Sequence, residues 1–222
     1  MTLRMKYDKE LEGMLFKLVK MARATEEAIE ETIEGLINGD VAKLKEVYVN
    51  DKEIDNMERE IERNCFKLLL MEQPVATDFR EVSAALKMIT DFERIADQAS
   101  DIAHLGIKSK LSSCEEVMPQ IKIMADNAKI MLHEGVSAYI NKDVALAKSL
   151  TRKDDAVDAM FSEIKDHIID GIKTGSVDAE EAILVMMVAK YLERIADHAV
   201  NVGEWVEYAV TGVHKAHEDL VY

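Results

Sequence analysis

The sequence predicts an all-α protein: two tandem, pseudo-symmetric three-helix bundles, six long antiparallel helices in all. Three observations lead there. A five-residue word occurs twice, as Glu93-Arg94-Ile95-Ala96-Asp97 and again, 100 positions later, as Glu193-Arg194-Ile195-Ala196-Asp197. Only two prolines and nine glycines interrupt a chain rich in Leu, Met, Ala, Ile, Glu and Lys, which is the profile of long helices. Short β-branched runs bounded by turn residues, the mark of strands, are essentially absent.

The duplication extends along the chain. Residues Ile37 to Ala42 match Ile140 to Ala145, and Asp51 to Met57 match Asp154 to Met160, both at an offset of 103. Asp78 matches Asp178 at an offset of 100, so the first copy is three residues longer between Asp55 and Asp78, in the turn around Gln73 and Pro74. Two repeats of roughly 105 residues are too few and too long for a solenoid. The expected domains are 1–111 and 112–222, related by a pseudo-twofold axis, with continuation end to end left open.

Each helix follows from its breaks. Helix 1 runs from Arg4 to Asn38 and stops at Asn38-Gly39, a helix-ending pair. Helix 2 starts at Asp40, an N-cap residue, and runs to Glu72, ahead of Pro74. Helix 3 covers Val75 to Lys110. Ser113 to Glu116 has capping-box spacing and predicts the start of helix 4, which ends near Asn141. Helix 5 runs from Asp143 to Gly171, and Gly175-Ser176 turns the chain into helix 6, from Asp178 to Thr211. At 1.5 Å per residue, helices beyond 30 residues reach about 45 Å, and short links make them antiparallel neighbours.

Composition narrows the function classes. Apolar residues are 48% of the chain, enough for a sizeable core. A net charge of −15 argues against nonspecific nucleic-acid binding and against an electrostatic membrane anchor, since both need a basic face. It leaves solubility, cation binding or a basic partner as its meaning. Cys65 and Cys114 lack the spacing of a zinc site or a disulfide framework. The sequence shows neither a signal peptide nor an 18-residue apolar run, so a soluble, cytoplasmic protein is expected.

The chemistry lies in misplaced carboxylates. On helix 2, Val47, Ile54, Ile61 and Leu68 form one row, and Leu44 and Cys65 another, with Asp51 and Glu58 standing between the latter pair. On helix 5, Leu150, Val157 and Ile164 recur at sevens, while Asp154 interrupts Ala147, Phe161 and Ile168. Glu93 and Glu193 interrupt the stripes of helices 3 and 6. Asp51, Glu93, Asp154 and Glu193 thus occupy slots where the helical period calls for apolar side chains. Each is followed one turn later by another acid: Asp55, Asp97, Asp158 and Asp197.

Acids four apart share a helix face, and two charges about 6 Å apart repel by about 0.7 kcal/mol in water and about 3 kcal/mol at an effective dielectric of 20. A bound cation offsets this directly, and carboxylate oxygens suit Fe, Mn, Mg or Ca. Arg94 and Arg194 stand beside the glutamates, so ordinary salt bridges are the competing reading. His198, next to Asp197, is a candidate outer partner of the acids or a plain packing residue. The Glu-x-x-His spacing of a di-iron bundle is missing, because Ala96 and Ala196 stand three residues after the glutamates. With no nucleophile–base pair or phosphate-cradling loop either, a non-enzyme is expected.

Gln73-Pro74-Val75-Ala76-Thr77-Asp78-Phe79-Arg80, followed by Asp91-Phe92-Glu93-Arg94-Ile95-Ala96-Asp97, resembles the PhoU family of phosphate-uptake regulators. Tyr191 through Asn201 resembles that family's second repeat, and the likeness spans nearly the whole chain. The resemblance implies tandem three-helix bundles. It also implies multinuclear iron or zinc held by motifs that fall here on Asp51/Asp55, Glu93/Asp97, Asp154/Asp158 and Glu193/Asp197. Asp101 extends the first acidic run, where the second copy has Asn201. The resemblance further implies a cytoplasmic homodimer that restrains phosphate uptake and phosphate-starvation signalling. Its implied partners are PstB, the ATPase subunit of the phosphate ABC transporter, and the sensor kinase PhoR. The alternative kept beside it is a metal-free helical module that docks partners through acidic faces.

Overall fold

A computed structural model describes residues 3–71, 75–108 and 111–213. Six long helices follow one another: α1 (Leu3–Asn38), α2 (Val41–Leu70), α3 (Ala76–Lys108), α4 (Met118–Asn141), α5 (Val144–Thr174) and α6 (Ala179–Thr211). The Gln73-Pro74 turn lies outside the described residues.

Local chemistry sets the helix ends. The Asp40 carboxylate accepts from the N–H groups of Ala42 and Lys43 at 3.1 Å, and Asp178 accepts from Glu180 and Glu181 at 3.0 Å. Asp143 accepts from Leu146 N–H at 3.0 Å. Each satisfies amide groups that a helix start leaves without a partner. Gly39 turns the chain between α1 and α2 at φ 64°, and Lys142 does so between α4 and α5 at φ 56°. The two positions correspond at the repeat offset of 103, so one left-handed turn is built with a glycine in one copy and a lysine in the other.

The start of α4 differs from the capping-box expectation. Residues Ser112–Val117 form a short 3-10 helix, and the α-helix opens at Met118 with Pro119 in its first turn. Leu111 sits in the left-handed region at φ 53°, and Cys114 departs from helical dihedrals. Leu111, Cys114 and Val117 are all buried. Packing these three inward tightens the turn, and proline, which has no N–H to give, suits the first α-helical turn.

Helices α1, α2 and α3 pack into one bundle, and α4, α5 and α6 into another. The bundles lie side by side, not end to end. The α3–α6 interface is the most extensive helix contact in the molecule, and α1 also packs on α4. One hydrophobic cluster therefore runs through both halves, from Leu18, Ile61 and Phe92 to Met131, Leu150 and Ile195. Polar contacts reinforce the seam. Tyr139 Oη donates to the Glu81 carbonyl at 2.7 Å, and Arg80 Nε donates to the Ala209 carbonyl at 3.4 Å. Asp91, buried on α3, faces His198 Nδ1 at 2.9 Å and accepts from Asn201 Nδ2 at 3.3 Å.

Candidate metal centre

In the first repeat, α2 and α3 pack along rows of fully buried side chains: Ile61, Cys65 and Leu68 from one, Ile89, Phe92 and Ala96 from the other. Asp51, Asp55, Glu93 and Asp97 line the edge of that seam, each half-buried. This is where helical spacing puts a residue that falls in an apolar slot but cannot leave water. One carboxylate oxygen each from Asp51, Asp55 and Asp97 comes within 4.8 Å of the others, and no other acidic, His or Cys trio among the described residues does so. Two oxygens on opposite sides of one hard cation are up to about 5 Å apart when each bond is about 2.3–2.6 Å. The trio therefore fits a single ion.

The electrostatics agree with that geometry. Burial, followed by the charges of Asp97, Asp55 and Asp101, pushes the Asp51 carboxyl up to about 6. Burial also raises Glu93 and Asp97, with Arg94 opposing. The competing salt-bridge reading is realised in part. Arg94 reaches Glu93 at 3.4 Å and Asp97 at 3.3 Å, and Arg59 reaches Asp55 at 3.5 Å. Among the described residues, Asp51 has no such partner. Asp101 is exposed and contributes by its charge, not by joining the trio. Glu58, which interrupts the apolar row in the sequence, accepts from Thr90 Oγ1 at 3.2 Å.

The second repeat places Asp154, Asp158, Glu193 and Asp197 on the matching α5–α6 seam, more loosely gathered. Asp154 and Glu193 are half-buried, whereas Asp158 and Asp197 are exposed. Burial, then Asp197, Asp158, Glu193 and Asp155, raises the Asp154 carboxyl to about 7. Its Oδ1 is buried without a hydrogen-bond partner. A buried acceptor left unmet costs about 1–3 kcal/mol, so this oxygen suits an incoming cation. The buried Oε2 of Glu193 lacks an aligned hydrogen bond but meets the Lys190 ammonium as an ion pair. Arg194 forms no ion pair with its neighbouring acids among the described residues, unlike Arg94.

His198 points its Nδ1 toward Asp91 on the inter-bundle seam and reaches the site only through its charge on Asp197. Nothing in the periodicity flags Asp91, because its partners His198 and Asn201 are 107 and 110 residues away in sequence. Lys190 was missed as a site residue, although its i,i+3 spacing from Glu193 on one helix is a legible ion-pair signal.

The PhoU domain profile matches residues 18–105 and again 121–206, one match per bundle. The chain belongs to the PhoU family. Among relatives of the family, the phosphate-specific transport system accessory protein PhoU homolog of Zymomonas mobilis is 32% identical, with 93% of this chain and 87% of the relative covered. The homolog of the same description from Aquifex aeolicus is also 32% identical, with 86% of each chain covered. The crystal structure of PhoU from Pseudomonas aeruginosa superposes with a TM-score of 0.85 at 28% identity, covering 93% of this chain and all of that one. The Pseudomonas aeruginosa protein thus shares the fold of this chain over nearly its whole length.

Proposed function

We propose that this protein is a non-enzymatic, metal-binding accessory protein of phosphate-specific transport that holds down phosphate uptake and phosphate-starvation signalling. In this reading it works in the cytoplasm as a homodimer, an adaptor between the transporter ATPase subunit PstB and the sensor kinase PhoR. The observation that carries the transport role is the family match over both repeats, together with relatives described as transport-system accessory proteins. The metal part rests on the Asp51, Asp55 and Asp97 trio. A cation there, iron, zinc or a harder ion such as Mn, Mg or Ca, would supply positive charge that stiffens the α2–α3 seam. The chain's own part is to hold the oxygens in place on two rigid helices and to keep Asp51 half out of water. No described helix is long and apolar enough to cross a membrane, so docking to a transporter would run through surfaces.

The test uses a strain lacking the gene, grown in ample phosphate with a phosphate-starvation reporter. The intact protein should silence the reporter and co-purify with PstB, and the Asp51→Asn, Asp97→Asn double variant should lose metal and silencing together at unchanged helicity. A silencing, metal-free variant would favour the metal-free docking module, and a reporter indifferent to the protein would remove the regulatory role.

A further inference from the structure

The two carboxylate faces are related by duplication, yet corresponding positions differ in charge, Lys52 against Asp155 and Arg59 against Ser162 among them. Thr90 corresponds to Lys190 and Asp101 to Asn201 at an offset of 100, and Glu58 corresponds to Phe161 at an offset of 103. In the first repeat, the uncharged hydroxyl of Thr90 donates a hydrogen bond to Glu58. In the second, the same pair of positions becomes an ammonium lying 5.6 Å from the centre of the Phe161 ring. That ring fixes the lysine stem by contact with its methylenes and attracts the charge with its face. The anchored ammonium meets Glu193 Oε2 and exerts its field on Asp158 and Asp197 as well.

Building on the metal reading above, we propose that Lys190 is a resident counter-cation that ranks the two sites. Ions fill the first repeat's carboxylates first and enter the second only by displacing the lysine ammonium from Glu193. Three differences favour the first face, against Asp155 and Arg59, which favour the second. The first face carries Glu58 and Asp101 where the second has Phe161 and Asn201; it has threonine where the second has lysine; and, among the described residues, it gathers three carboxylate oxygens within 4.8 Å where the second does not. The first face has cations of its own, Arg94 on Glu93 and Asp97 and Arg59 (Ser162 in the second copy) on Asp55, but these contacts are 3.3–3.5 Å long and made by exposed arginines, and none of them reaches Asp51. The second repeat is then a conditional site: charged internally at low metal and switched to a bound ion only when metal is abundant.

Titration of the metal-stripped full chain with manganese(II), read by calorimetry and by the paramagnetic resonance of the free ion, tests this. The native protein should show a tight and a weak class, with Asp51→Asn removing the tight class and Asp154→Asn the weak one. Lys190→Met keeps the stem over Phe161 and removes the charge. It should tighten the weak class at least about tenfold, because a unit charge about 5 Å from a divalent ion repels it by more than that even in water. Lys190→Arg should leave the weak class weak, and Thr90→Lys should loosen the tight class. Equal affinities in the native protein, a weak class unmoved by Lys190→Met, or loss of the tight class in Asp154→Asn would each overturn the ranking while leaving metal binding intact. No manganese bound by the native chain would instead remove the metal reading, and the ranking with it.

Discussion

Asp51 and Asp154 hold the energetic tension of this protein. Both are raised from an ordinary 3.8, to about 6 and about 7, chiefly because they are half-withdrawn from water and secondly because other acids surround them. A carboxyl whose folded value lies above its unfolded value keeps its proton longer in the folded state. Its contribution is then fully present below the unfolded value and is lost as pH rises through the folded one. Without metal, stability should fall as pH climbs from about 4 to about 7 and level off above that. Melting temperatures of chelator-treated protein across pH 5 to 8 check the sign, and Asp154→Asn should flatten the slope. A metal-free protein that gains stability over that interval would contradict the burial of these groups. The same linkage makes metal uptake release protons near pH 6 to 7.

The helices show where a side chain is tolerated and where the backbone forbids one. Gly203 on α6 passes so close to α5 that a Cβ there would lie 2.9 Å from the Ala147 carbonyl oxygen and 3.0 Å from Leu150 Cδ1. A backbone oxygen cannot swing aside, so Gly203→Ala should destabilise by about 1–3 kcal/mol, outweighing the roughly 0.5–1 kcal/mol that alanine gains over glycine in a helix. Gly13 on α1 is the control, because a Cβ there meets nothing within 4 Å. Gly13→Ala should stabilise by about 0.5–1 kcal/mol. Urea melts of the two variants should therefore move in opposite directions, and a stabilised Gly203→Ala would mean that α5 and α6 are not in this close contact.

The whole molecule folds around one core and not two. Each fully buried Leu, Ile, Met or Phe contributes roughly 1.5–3 kcal/mol on burial, and those of α3 and α6 face a shared interior. Asp91, His198 and Asn201, with the Tyr139–Glu81 bond, tie the halves across the same seam. The two repeats should therefore unfold in a single transition. Fluorescence of Trp205, which reports α6 near Lys87 of α3, should change together with far-ultraviolet circular dichroism, which reports every helix. Two separated urea transitions would show that the bundles hold themselves up independently.

Periodicity, breakers and the internal repeat already specify six helices, their order, their pairing into two equivalent sets and the acids that fall in apolar slots. All of these are properties of residues close together in the chain, where spacing translates directly into a shared helix face. The partners of those acids are of a different kind. Whether Asp97 meets Asp51 and Asp55, whether Phe161 comes under Lys190, and whether His198 faces the acids or Asp91 depend on how one helix is rotated and shifted against another. So does the choice of side-by-side over end-to-end bundles, and the 3-10 turn that lets Leu111, Cys114 and Val117 sink inward. Those choices are fixed by packing across the α2–α3, α5–α6 and α3–α6 seams, where ridges of one helix settle into grooves of the next. No single helix carries that information.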